Sequence, residues 1–153
     1  MFTDIVGYTA MMGKNEKKAL KAIENNQKII APLVNKYHGK WLKDIGDGNL
    51  CSFRSASDAV NCALAIQKAL SDAHYEVRSG IHLGEVVFKA GDVFGDGVNI
   101  ASRIEQSVDK AGIYVSESVY DNVKNKEGLK AESLGEKSLK NVDKPVKIYK
   151  ILY

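Results

Sequence analysis

The segments of this chain follow the order β-α-β-β-α-β, which predicts an α+β domain on a ferredoxin-like βαββαβ core, an antiparallel sheet carrying two helices on one face. A second observation is the glycine-flanked turn Gly46-Asp47-Gly48, set between two short apolar runs as in a β-hairpin. A third is length: 153 residues fit one domain with a real core but not two. Further strands and helices follow the core.

Composition narrows the function classes. Lys+Arg minus Asp+Glu is 22 − 19, and a net charge of +3 with dispersed lysines and few aromatics does not support a nucleic-acid partner. An anionic small molecule stays open. Cys51 and Cys62 lack metal-ligand spacing and read as buried free thiols of a reducing compartment, so the chain is expected to be cytoplasmic. No apolar run reaches the length of a membrane span, and the N-terminus lacks the layout of a secretion signal.

Phe2-Thr3-Asp4-Ile5-Val6-Gly7 reads as a strand ending in a glycine turn. Asp4 stands among core residues and needs a partner, either backbone N–H groups of the next turn or a metal ion. Because a central strand normally has more lead-in, the natural gene product is expected to begin earlier.

From about Asn15 to Tyr37, Leu20, Ile23, Ile30, Val34 and Tyr37 recur at helical spacing and mark a buried face, with an end near Gly39. Pro32 should bend or divide this helix.

The hairpin comes next, with strands near 40–45 and 49–53 joined by an Asp47-Gly48 turn. Lys43 lies four residues before Asp47. Ser55 or Ser57 offers an N-cap for a second helix that buries Val60, Ala63, Leu64, Gln67 and Leu70. Strands are expected at 76–82 and 85–89. In this topology the first strand is central and adjoins the hairpin, so Asp4 and Asp47 could share one cation.

Gly91 to Arg103 begins as a glycine loop and becomes a helix through Val98, Ala101 and Ile104/Val108. Asn99 and Arg103, four apart, project from one side. An amide and a guanidinium entered from a glycine loop suit a phosphorylated ligand, and the bland alternative is Arg103 pairing with Glu105 or Asp109. A strand at 113–116, a short helix capped by Ser116 and two strands at 129–137 and 146–152 complete the chain.

Five separated motifs, FTDIVGYT, KDIGDG, VRSGIHLGEV, GDVFGDGVNIASR and LKNVDKPVKIY, occur in order along essentially the whole length. Together they resemble the class III nucleotidyl cyclase domain, the family of adenylyl and guanylyl cyclases. The resemblance implies that 1–153 is one catalytic domain converting ATP to 3′,5′-cyclic AMP and pyrophosphate. It implies that Asp4 and Asp47, helped by the carbonyl of Ile5, hold two divalent cations, Mg²⁺ or Mn²⁺. By the same resemblance Lys43 and Asp92 read the base, Asn99 orients the ribose, Arg103 stabilises the transition state, and Arg78 and Lys140 serve the triphosphate. Family members work as dimers with shared sites, which implies a head-to-tail homodimer here. The Lys/Asp pair complements the N1 acceptor and 6-amino donor of adenine, whereas guanylyl members carry Glu and Cys or a similar small residue. The competing readings are a guanylate cyclase or a catalytically impaired nucleotide-binding dimerisation module. A diguanylate cyclase is disfavoured because no GGDEF-type signature is present, and a GxxxxGK[ST] phosphate loop is absent too.

Overall fold

The computed structural model describes residues 1–108 and 110–153. The first strand, β1 (Phe2–Ile5), leads through Gly7, whose φ of +70° starts a short helix, α1 (Tyr8–Lys14). The apolar pattern did not show α1, because it buries no residue fully.

Helix α2 (Glu16–Lys36) is capped by Asn15, whose side chain accepts the Lys18 N–H at 2.9 Å. Its buried stripe is Ala19, Ala22, Asn26, Ile30 and Val34, while Leu20 is 47% exposed. Of the expected face, Ile30 and Val34 are buried and Ile23 and Tyr37 pack against the core, so only Leu20 departs from it. Ala19, Ala22 and Asn26 extend the buried stripe, and the small alanines let α2 lie close to its neighbours. Nor does Pro32 divide the helix, since burial of Ile30 and Val34 on either side holds the turns together.

Strands β2 (Lys40–Ile45) and β3 (Gly48–Ser52) pair with Ile45 opposite Gly48, so the turn residues are Gly46 and Asp47 rather than Asp47 and Gly48. Gly46 takes the left-handed position at φ +61°. Gly48 has a different role. A Cβ there would meet the Thr3 carbonyl oxygen at 2.1 Å, so only glycine lets β1 approach and bring its end beside the turn.

Helix α3 (Ala56–Ala69) begins at Ser55, which accepts the Asp58 N–H at 3.0 Å. The chain continues through β4 (Val77–Ile81), β5 (Val87–Lys89), β6 (Asp92–Phe94), α4 (Asp96–Gln106), β7 (Gly112–Ser116), α5 (Glu117–Val123), β8 (Lys130–Lys137) and β9 (Val146–Leu152).

The main sheet has the order β2-β3-β1-β4-β7-β9-β8, and β5 and β6 form a separate two-stranded hairpin. Its first four strands reproduce the ferredoxin-like core. The sheet is mixed rather than wholly antiparallel, because β4 and β7 run parallel.

Alternation along the strands divides the two faces. Ile5, Val77, Ile81, Ile113 and Val115 join the core built with α2, α3 and α5. Phe2, Leu50 and Tyr114 face the other way, where Ala101 and Ile104 of α4 cover them. Gly80 permits that second layer: a Cβ there would lie 2.5 Å from the Ala101 carbonyl oxygen. No described helix is long and apolar enough to cross a membrane.

Candidate active site

Asp4 and Asp47 come together at the C-terminal end of β1. The Ile5 N–H donates to Asp47 Oδ2 at 3.0 Å, which ties the hairpin turn to that strand end. Burial pushes the Asp47 carboxyl up, the Ile5 N–H opposes this, and the nearby charge of Asp4 adds to the rise. No basic side chain pairs with Asp47 among the described residues.

Asp4 stands directly opposite Arg78 in the β1–β4 ladder, so both project from the α4 face. Arg78 grips it with two parallel bonds, Nε to Oδ1 at 2.7 Å and Nη2 to Oδ2 at 2.6 Å. Its Nη1 donates to the Val108 carbonyl. These bonds hold the guanidinium pKa above its ordinary value, with Asp4 the largest cause.

Glu105 of α4 lies against the same guanidinium, its Oε1 2.5 Å from Nε. The single Nε hydrogen is directed at Asp4, so Glu105 Oε1 is buried without a hydrogen bond. Burial, reinforced by the charge of Asp4, drives the Glu105 carboxyl upward against the pull of Arg78.

A second pair lies on this face. Lys43 sits opposite Leu50 on β2, and its Nζ donates to Asp92 Oδ1 at 2.6 Å, joining the sheet to the start of β6. Asp92 also accepts the Val93 N–H at 2.7 Å, and the Lys43 bond is the largest cause of its lowered pKa.

Asn99 and Arg103 do not join either group within the chain. Arg103 precedes Glu105 by two residues, about 200° around the helix, so it points away from the side that touches Arg78. Its Nη1 instead donates to Gln106 Oε1 at 2.5 Å. Of the carboxylates considered for it in the sequence, Glu105 contacts Arg78 and Asp109 lies outside the described residues. Lys140 is exposed in the turn after β8.

The sequence profile of the Adenylate and Guanylate cyclase catalytic domain family matches residues 1–152. This chain belongs to that family. A protein of Rhizobium meliloti named "Putative adenylate cyclase 3" is 34% identical over 155 residues, covering 95% of this chain and 26% of that protein. The chain thus spans about a quarter of that relative's length. An adenylate/guanylate cyclase/hydrolase from Silicibacter pomeroyi has the same fold at a TM-score of 0.90 and 30% identity, over 99% of this chain and 93% of that one. The guanylate cyclase domain of RhGC from Catenaria anguillulae, solved with GTP, shares the fold at a TM-score of 0.79 and 24% identity, over 99% and 93% of the two chains.

The cyclase-domain carboxylates suit a hard divalent cation. Asp4, Asp47 and the Ile5 carbonyl are all oxygen donors, and a half-buried Asp47 that has no ion-pair partner among the described residues gains from a cation beside it. Mg²⁺-like ions are commonly held by one or two carboxylates with substrate phosphates completing the shell, so the small number of protein ligands is no obstacle.

Sequence reasoning missed Glu105. The signal was present, because Glu105 stands four residues after Ala101 in the stripe that buries Ala101, Ile104 and Val108. A carboxylate at 4% exposure in such a stripe requires a partner.

Proposed function

We propose that residues 1–153 form the catalytic domain of an adenylate cyclase, which converts ATP to 3′,5′-cyclic AMP and pyrophosphate at sites shared by two copies of the chain. The convergence of Asp4 and Asp47 at the end of β1 carries this reading. Two divalent ions bound there would acidify the ribose 3′-hydroxyl and hold the departing pyrophosphate.

The other residues act through binding and charge. Lys43 donates to N1 of adenine and Asp92 accepts from its amino group, and their 2.6 Å pairing keeps the two preformed at matching separation. Asn99 orients the ribose. Arg103 presents its rigid fork to the charge growing on the α-phosphate, and Lys140 meets the outer phosphates.

Three features support a second copy as the source of half the groups. Arg103 and Asn99 face away from this chain's own carboxylates. The cavity lined by Leu42 and Val93, the chain neighbours of Lys43 and Asp92, but not by those two residues themselves, has only about 110 Å³, below the ~300 Å³ typical of ligand pockets. Finally, the β5–β6 hairpin projects Val87, Phe88 and Phe94 at 63%, 56% and 53% exposure, an apolar surface suited to burial against a partner. A larger cavity of about 580 Å³ lies by α2 and the loop after α3, and none of the proposed site residues line it.

The test is production of cyclic AMP from Mn-ATP by protein shown to be dimeric in the same solution. Product formation supports the proposal. A dimer that binds ATP without turnover would favour the impaired-module reading, and turnover of GTP in preference to ATP would favour a guanylate cyclase.

A further inference from the structure

Resting on the metal assignment just proposed, we infer that Arg78 is a built-in competitor for the cation site: a divalent ion must take Asp4 from it, and Glu105 is the positioning residue that then holds the displaced guanidinium. Both Asp4 oxygens are engaged by Arg78 at 2.6 and 2.7 Å. A carboxylate oxygen has further lone pairs, but a doubly charged ion on them would stand within a few ångströms of a full positive charge in a half-buried site. The two cations therefore oppose each other on one carboxylate.

Glu105 gives the guanidinium somewhere to go. Its Oε1 is already 2.5 Å from Nε, buried and without a hydrogen bond, because the one Nε hydrogen is spent on Asp4. A small rotation of the fork redirects that hydrogen from Asp4 to Glu105. Arg78 keeps its bond to the Val108 carbonyl and stays beside the site. The arrangement makes a strand residue and a helix residue share one cation, so an ion arriving at the sheet is felt by α4, the element that also carries Asn99 and Arg103.

Binding of Mn²⁺ to the nucleotide-free 153-residue chain, read as loss of the free-ion EPR signal, tests this without catalysis. Arg78→Gln should bind Mn²⁺ more tightly, by roughly tenfold, the scale of one charge-assisted contact removed. Glu105→Gln should bind it several-fold more weakly, because the displaced guanidinium of Arg78 then meets a neutral amide oxygen in place of a carboxylate. General loosening of the site would weaken both variants. In the Arg78→Gln background the Glu105→Gln change should have no effect, whereas a direct field of Glu105 on the ion would persist.

Unchanged or weaker Mn²⁺ binding by folded Arg78→Gln overturns the inference. If that variant does not fold, unchanged or tighter binding by Glu105→Gln overturns it. Asp4→Asn and Asp47→Asn separate the two levels: if both retain wild-type Mn²⁺ affinity, the metal assignment itself fails. If both lose it while Arg78→Gln is unaltered, only the competition fails.

Discussion

Replacing Gly80 by alanine should strike stability and chemistry together. The new Cβ would lie 2.5 Å from the Ala101 carbonyl oxygen and 2.6 Å from the Glu105 nitrogen. Both are backbone atoms of α4, so no side-chain rotation relieves the clash. Ordinary contact begins at 3.4 Å, and 3.4 − 2.5 gives a helix retreat of about 1 Å. Ala101 and Ile104, now 3% and 0% exposed, would lose part of their contact with the sheet. Overpacking of this kind costs about 1–3 kcal/mol, or roughly 2–12 °C in Tm for a domain of this size. The same shift moves Arg103 relative to its target, and misplacement by about 1 Å can cost ~10²-fold in kcat. Thermal unfolding and cyclic AMP assays at a temperature where the variant remains folded give both quantities. Gly13→Ala is the control, since a Cβ there meets nothing within 4 Å and alanine favours helix. A Gly80→Ala protein with the wild-type Tm and kcat would refute the claim that α4 lies directly on the sheet at this glycine.

Exchanging the base-reading pair, Lys43→Glu with Asp92→Cys, should lower the ATP-to-GTP ratio of kcat/KM by about 10–100-fold, on a scale of ~1–3 kcal/mol per mispaired group; steady-state rates with both nucleotides decide it. Burial pushes the Cys51 and Cys62 thiols up to about 12, so neither should react with a thiol reagent at pH 8 until the protein unfolds, and rapid native-state labelling would contradict their placement. Below the ordinary value of 9.0 both states hold neutral thiols, and above it the unfolded chain sheds protons first, so denaturant midpoints should fall as pH rises from there.

The fold was legible where periodicity was strong. The hairpin, α3 and the last two strands fall within a residue or two of their expected bounds, because apolar alternation and the Ser55 cap mark them. Helix α1 was silent, since it is short and buries nothing completely. On α2 the sequence pattern picked out Ile30 and Val34 but misplaced Leu20 and passed over Ala19, Ala22 and Asn26, because an apolar count gives little weight to small or polar residues. The turn shifted by one residue because Gly48 answers to the Thr3 carbonyl, a tertiary demand no local rule contains. At the site, the topology of the core brought Asp4 toward Asp47 on paper and in space. The Arg78 grip on Asp4 depends on strand register, which sequence alone did not fix.

The shared site is tested most directly by mixing two inactive variants, Asp47→Ala and Arg103→Ala, under conditions where mixed dimers form. Each variant spoils a different half of every site, so the mixed dimer should recover one working site and cyclic AMP synthesis should return. Mixed dimers demonstrated by mass spectrometry but without activity would contradict a site built from two chains.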